Sequence, residues 1–103
     1  MSYGSATLRG YEVSDTVCLD TDGNMCLDDF EFLEITAETG LYSLDGILGL
    51  SPKNKFTAAL VDNDIIKSNE YTFWLNTEGN DSSITFGGVP DDATTGKTHK
   101  HKI

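Results

Sequence analysis

The stretch Asp45-Gly46-Ile47-Leu48-Gly49-Leu50-Ser51-Pro52 decides how the rest of this sequence is interpreted. It is a short apolar run that is interrupted by glycines and closed by a proline. Glycine lets the backbone turn or approach a neighbour where a Cβ would clash. Such a run, with Ile and Leu between glycines, predicts a buried strand in a crowded place. Pro52 ends the strand and can lead into a helix.

Working outward, alternation and composition predict a mainly β fold with one short helix. In residues 25–36, Phe30 and Phe32 alternate against Glu31, and the phase then shifts to Leu33 and Ile35, which predicts a bulge or bend. The basic tail, 97–103, can form a terminal strand. The other predicted elements are strands at 7–19, 71–75 and 83–86, a turn at 20–24 and a helix at 54–67, with bulky residues on both faces of 71–75 indicating a well-buried strand.

The cysteines, Cys18 and Cys26, stand on opposite sides of the predicted turn at 20–24. Paired strands place them across from each other, so a disulfide is geometrically reasonable and indicates an oxidising compartment. The alternative is a pair of buried thiols. Their spacing does not fit CxxC chemistry, and two thiols alone cannot complete a zinc site.

Length and charge exclude several classes of function. At 103 residues the chain suits one domain, 1–103, and its net charge of −10 argues against a nucleic-acid partner. The acidity suits either a solvated surface or acidic surroundings, where protonated carboxylates repel one another less. No apolar run is long enough to cross a bilayer, which predicts no membrane partner. The first residues lack the features of a signal peptide.

An acidic segment offers an alternative of another class, a small EF-hand-like calcium-binding protein. Two features oppose it: Met25 stands where the loop needs glycine, and the preceding residues favour a strand over a helix. The alternative interpretation is an acidic hairpin turn that binds no ion. The oxygen ligands of such a loop would come from Asp20, Asp22, Asn24, the Cys26 carbonyl, Asp28 and Glu31.

The remaining motifs predict no cofactor and no metal site. His99 and His101 alternate but lack a third ligand, and they are better explained as surface side chains. Neither a Gly-x-Ser-x-Gly elbow nor a phosphate-binding loop occurs. Asn80-Asp81-Ser82 is an N-glycosylation sequon, although such triplets also arise by chance.

Several motifs, taken in order, resemble the pepsin-like aspartic proteases, from the flap of the N-terminal lobe onward. Tyr3-Gly4-Ser5 is similar to the flap tip, and Asp45 to Leu50 to the family's hydrophobic-hydrophobic-glycine signature. The segments 56–76 and 83–89 resemble the helix, strand and Gly-Gly hairpin that follow. The resemblance covers almost the whole chain and implies that 1–103 is a partial N-terminal lobe of such a domain.

This resemblance implies an aspartic endopeptidase as the parent protein, secreted or lysosomal or vacuolar, with a peptide or protein as its substrate. In that family, two aspartates in Asp-Thr-Gly triplets share a proton and activate a water. Neither triplet is present here, since Asp15-Thr16-Val17 and Asp20-Thr21-Asp22 lack the glycine. The chain alone is therefore predicted to be inactive, with no catalytic residue of its own.

The resemblance also implies substrate-side roles. Tyr3 would close over the substrate, while Gly4 and Ser5 would hydrogen-bond an extended peptide. Leu44 and Ile47 would line an apolar subsite beside the catalytic aspartate, or serve in ordinary core packing. A noncatalytic peptide-binding pseudoprotease is the other alternative to a protease fragment.

Overall fold

A computed structural model describes residues 1–91 and 94–102, and within this part the chain is mainly strands with one short helix. The first sheet has three antiparallel strands in the order β1-β2-β3, and the second pairs β4 with β5. This confirms the predicted fold class. The elements are β1 Ser2–Tyr3, β2 Ala6–Cys18, β3 Cys26–Thr39, α1 Lys55–Asp62, β4 Tyr71–Trp74 and β5 Ser83–Phe86.

The long hairpin of β2 and β3 dominates the molecule, and its register shifts at two places. Near its middle, Arg9 pairs with Ala37 while Gly10 pairs with Ile35, so Thr36 is left over. A Cβ on Gly10 would lie 1.8 Å from the Glu34 carbonyl oxygen. Only glycine therefore permits this approach of the two backbones.

The second register shift lies between Asp15 and Val17, which pair with Phe30 and Leu27. Asp29, in the extra length of β3, has a φ of 55°, the left-handed conformation typical of a bulge. The bulge allows Leu27 and Phe30, three residues apart, to reach the same apolar cluster.

The bulge predicted from the change of phase at Leu33 is wrong in its position, because the ladder is continuous from Phe30 to Ile35. The phase changes because the two faces of β3 pack against different clusters. Phe30 contacts a cluster around the helix, whereas Leu33 and Ile35 contact the cluster of Ala6, Leu8 and Leu41.

The disulfide between Cys18 and Cys26 is formed, and these residues are the last pair of the ladder. Leu19 N–H donates to the Met25 carbonyl at 2.8 Å, which continues the pairing by one step. The disulfide predicted from the hairpin is thus confirmed, and it holds the strands together next to the bulge at Asp29.

Replacing Cys18 and Cys26 with serine together is expected to destabilise this end of the hairpin by about 2.5 kcal/mol. The reason is that the bridge spans a sequence separation of 8, and closing so short a loop removes chain entropy of that size from the unfolded state. Amide hydrogen exchange at Val17 and Leu27 measures the loss. Wild-type protein under reducing conditions is the control and should match the double variant. Equal protection in the oxidised wild type and the double variant would contradict the prediction.

The helix packs its apolar face on β3 and β5. Asn54 caps its first turn, because the Asn54 side chain accepts a hydrogen bond from Thr57 N–H at 2.8 Å. Leu60 is 1% and Phe56 6% exposed, and both pack around Leu27.

The predicted helix, 54–67, is too long, since α1 ends at Asp62. Asp64 has a φ of 58°, and the N–H groups of Ile65 and Ile66 both donate to the Leu60 carbonyl. The chain therefore folds back after the helix, which brings both isoleucines into the cluster.

Residues 45–52 do not form the buried strand that their sequence predicts. Asp45 to Gly49 are exposed, and only Leu50, whose carbonyl accepts a hydrogen bond from the Tyr71 hydroxyl, is half-buried. The correction has a physical reason: within the described part of the chain, no strand lies beside this segment to pair with it.

Strand β4 is also more exposed than predicted, and it ends at Trp74 instead of residue 75. Tyr71, Phe73 and Trp74 are all exposed because β4 has one neighbour, β5, in a two-stranded sheet. The terminal strand suggested for the tail is absent from residues 97–102.

The chain leaves much apolar surface uncovered. Its accessible surface is 8626 Å², whereas a compact domain of this mass exposes about 5,700 Å². Its radius of gyration is 16.0 Å, against about 13 Å for a compact domain of this length. Side chains that would belong to a core elsewhere, such as Trp74 and Leu48, are therefore at the surface.

Candidate functional site

A tight hairpin lies at the start of the chain. Tyr3 pairs with Ala6, and Gly4 and Ser5 form the turn between them. Gly4 has a φ of 58°, as the first central residue of a two-residue hairpin turn requires. Leu8 N–H donates to the Met1 carbonyl at 2.7 Å, and the Met1 amino group donates to the Leu8 carbonyl at 2.9 Å. The residues predicted as a flap tip thus lie at the tip of a real hairpin.

The base of this hairpin is anchored to the chain that follows β3. Ala6, Leu8 and Leu41 are buried together. Gly40 has a φ of 93°, and a Cβ there would lie 3.0 Å from the Ser5 carbonyl oxygen. This close approach fixes the flap-like hairpin against the start of the segment that leads to Asp45.

A groove of about 660 Å³ is lined chiefly by β3 and the segment 45–49. Strand β2 covers one edge of β3, and no strand of the described part covers the other. We call this feature the β3 groove. Its lining, mostly apolar with several carboxylates, consists of Met1, Leu8, Glu12, residues 30–35, residues 45–49, Lys55 and Phe56.

The structure brings only some of the predicted substrate-side residues together. Ile47, 40% exposed, lines the β3 groove opposite β3, whereas Leu44 is 62% exposed and lies outside the lining. Gly4 and Ser5 are exposed at the hairpin tip, also outside the groove. The backbone of Tyr3 lies beside them, and its side chain is outside the described part. The substrate roles of these residues remain predictions.

Sequence reasoning missed the contribution of β3 to the groove. Phe32, Leu33 and Ile35 all line it, although they belong to both faces of the strand. The available signal was the apolar character of both phases in residues 30–35, which is typical of a strand that is covered on both faces. The prediction of a bulge at Leu33 rests on this same pattern.

The acidic loop considered for calcium is organised as a hairpin turn. The Asp20 carboxylate accepts hydrogen bonds from Asn24 N–H at 3.2 Å and Met25 N–H at 3.3 Å. Gly23 supplies a positive φ of 78°. Over residues 1–91 and 94–102, no three acidic, histidine or cysteine side chains are grouped so as to hold a metal. The calcium alternative therefore gains no support from the structure.

The sequence profile of the eukaryotic aspartyl protease family matches residues 1–103. Phytepsin of Hordeum vulgare is 32% identical over 103 residues, covering 86% of this chain and 20% of phytepsin. Vacuolar protease A of Neurospora crassa is 32% identical over 108 residues, covering 94% of this chain and 26% of that protein. Aspartic proteinase A1 of Arabidopsis thaliana is 29% identical over 109 residues, covering 92% and 21% respectively. No solved structure matched the chain.

The chain therefore belongs to the eukaryotic aspartyl protease family, as its resemblance to the pepsin-like enzymes predicted. It spans between a fifth and about a quarter of the length of these relatives, 20% to 26%. In the described residues, no helix has the length and apolar character needed to cross a membrane.

Proposed function

We propose that this chain is part of the N-terminal lobe of an aspartic endopeptidase, to which it contributes the flap and one wall of the active-site cleft. The observation that carries the proposal is the open β3 groove in a chain of this family. Strand β3, whose outer edge has no strand beside it in the described part of the chain, and the unpaired segment 45–49 line the same apolar groove. A strand from the rest of the lobe would fill that space and pair with the free edge.

The chemistry of peptide hydrolysis would come from outside this chain. The family's reaction needs two aspartates close enough to share a proton, so that one accepts a proton from water while the water attacks the peptide carbonyl. The Asp15 carboxylate instead accepts a hydrogen bond from Thr16 N–H at 2.7 Å on the exposed hairpin. Asp20 is held in the turn next to the disulfide. Neither aspartate lines the β3 groove.

The residues of this chain would bind and position the substrate. An extended peptide under the flap can exchange backbone hydrogen bonds with Gly4 and Ser5, as in strand addition. Tyr3 would close over the peptide, and Leu44 and Ile47 would contact an apolar substrate side chain. A strand that filled the β3 groove would lie next to Ile47. If that strand carried a catalytic aspartate, the aspartate would lie beside the apolar subsite.

The relatives also support a location. Vacuolar protease A of Neurospora crassa is a vacuolar enzyme by name. A disulfide forms in the oxidising secretory route that leads to such a compartment, and this chain has one. On these grounds we propose that the parent protein is secreted, lysosomal or vacuolar.

Peptidase assays on the 103-residue chain and on the longer protein that contains it test the function. With a fluorogenic peptide in acid, we expect no turnover from the chain alone and turnover from the longer protein. In the longer protein, Tyr3→Ala should lower kcat/KM by about tenfold or more, because the lid would no longer order the substrate.

Tyr11→Ala is the matched control, since Tyr11 is 69% exposed on β2 and outside the groove, and kcat/KM should stay unchanged. Turnover by the purified chain alone would overturn the assignment of catalysis to other residues. A longer protein that binds peptides without cleaving them would instead favour the noncatalytic module.

A further inference from the structure

We propose that Asn80 is a site of N-linked glycosylation. Asn80-Asp81-Ser82 lies in the loop that connects β4 and β5, at the free end of the two-stranded sheet. The proposal rests on the secretory route proposed for the parent protein, because the transferase acts only there. The sequence motif alone is weak, so the position of the loop in the fold has to support it.

The loop presents Asn80 to solvent. Asn80, Asp81 and Ser82 are all exposed, and the preceding Gly79 adds no side chain beside them. Trp74 pairs with Ser83 at the last step of the ladder, so the loop extends beyond the sheet. A large, hydrophilic glycan at this place meets no neighbouring element in the described part of the chain.

The hydrogen bonds of the loop leave the Asn80 amide free. Asn76 organises the loop: its N–H donates to the Ser82 hydroxyl at 3.0 Å, and its side-chain oxygen accepts from Glu78 N–H at 2.9 Å. The Asn80 side chain makes no hydrogen bond within residues 1–91 and 94–102. Modification of Asn80 therefore breaks no contact that holds the hairpin.

The other triplet with an asparagine two residues before a serine, threonine or cysteine is Asn24-Met25-Cys26. There the Cys26 sulfur is bonded to Cys18, and the loop is bound by the Asp20 carboxylate. The Ser82 hydroxyl, in contrast, is exposed. The fold thus distinguishes Asn80 from this competitor.

The donor would be a lipid-linked oligosaccharide. The Asn80 side-chain nitrogen attacks the first sugar carbon, a C–N bond forms, and the bond from that carbon to the lipid diphosphate breaks. The diphosphate leaves with the lipid, and the amide nitrogen gives up one proton. No oxidant or reductant takes part.

The position also has a consequence for the surface. None of residues 75–82 lines the β3 groove, so the glycan would be attached outside it. It would cover the apolar end of the hairpin, where Leu75 is 73% exposed. A hydrophilic cover at this point would raise solubility.

The test is expression of the chain behind a cleavable signal sequence in a eukaryotic secretory host. We expect the wild type to migrate slowly in electrophoresis and to speed up after enzymatic deglycosylation, with Asn80 converted to Asp in the released peptide. Asn80→Gln and Ser82→Ala should abolish the shift completely, whereas Ser82→Thr should keep it. Asn69→Gln is the control, since Asn69 is exposed and outside any sequon, and it should leave the shift intact.

An unmodified wild type in both the cell-associated and the secreted fraction would overturn the proposal. So would a shift that persists in Asn80→Gln and disappears in Asn24→Gln. Because the supplied signal sequence delivers the chain to the transferase, this result is independent of the peptidase assay. A glycan on a chain whose parent lacks peptidase activity would refute the proposed function and leave the site standing.

Discussion

Gly10→Val opens the long hairpin at its middle, and we expect local stability there to fall by more than about 3 kcal/mol. A Cβ at this position would lie 1.8 Å from the Glu34 oxygen and 2.7 Å from the Glu34 carbonyl carbon. Both are backbone atoms, which cannot rotate away as a side chain can. The strands must therefore separate, and the pairing of Gly10 with Ile35 is lost.

Amide hydrogen exchange checks this expectation. Protection along residues 8–12 and 33–38 should fall to that of an unfolded chain, while the disulfide keeps the Val17 end partly protected. Gly96→Val is the control, because a Cβ at Gly96 meets no atom within 4 Å and protection should not change. Unchanged protection in Gly10→Val would show that the strands do not approach so closely.

Phe56→Ala should destabilise the helix and its neighbours by about 3–5 kcal/mol. Phe56 is 6% exposed and stands between two other rings in edge-to-face contact. Its ring centroid lies 5.7 Å from that of Phe30 on β3 and 5.5 Å from that of Phe86 on β5. One side chain thus joins both sheets to the helix, and its loss leaves a cavity at their meeting point.

Amide hydrogen exchange measures this loss of stability, and we expect rapid exchange throughout α1 and at Phe86 in the Phe56→Ala variant. Phe73→Ala is the matched control, because Phe73 is 58% exposed on β4 and its removal should cost less than about 1 kcal/mol. Equal effects of the two substitutions would mean that Phe56 does not connect the sheets.

The local structure of this chain is predictable from its sequence to a large extent. The long hairpin is predictable from the alternation of apolar residues, the turn sequence and the two cysteines. The start of the helix is predictable from Asn54 and from the spacing of the apolar residues that follow it. These features depend on contacts between residues that are close in sequence. The end of the helix depended on how Ile65 and Ile66 fold back, which no local pattern contains.

The segment 45–52 shows where such reasoning stops. Its composition is that of a buried strand, yet it is exposed here because the described chain provides no strand beside it. Strand β4 gives the same result for Phe73 and Trp74. An apolar composition indicates that a segment is suited to a buried position. The described chain lacks the neighbouring strands that would bury these segments. The same mismatch is an argument for the proposal that the chain is part of a larger lobe.

In the candidate site, too, features formed by residues close in sequence were predictable, and features formed by distant residues were not. The hairpin at Gly4 could be predicted because the turn is local, and the role of its tip rests on family resemblance. The β3 groove could not be predicted, because its walls come from residues 30–35 and 45–49, which only the fold brings together.

The uncovered edge of β3 has a consequence for handling the chain by itself. Bare strand edges are templates for pairing between copies, and a long one invites fibrils. Here Glu31 and Glu34 stand along that edge, in a molecule with a net charge of −10, so two copies repel each other at neutral pH. A carboxylate-rich chain carries less negative charge in acid, so its copies repel each other less there. The chain by itself is thus more prone to self-association in acid than at neutral pH.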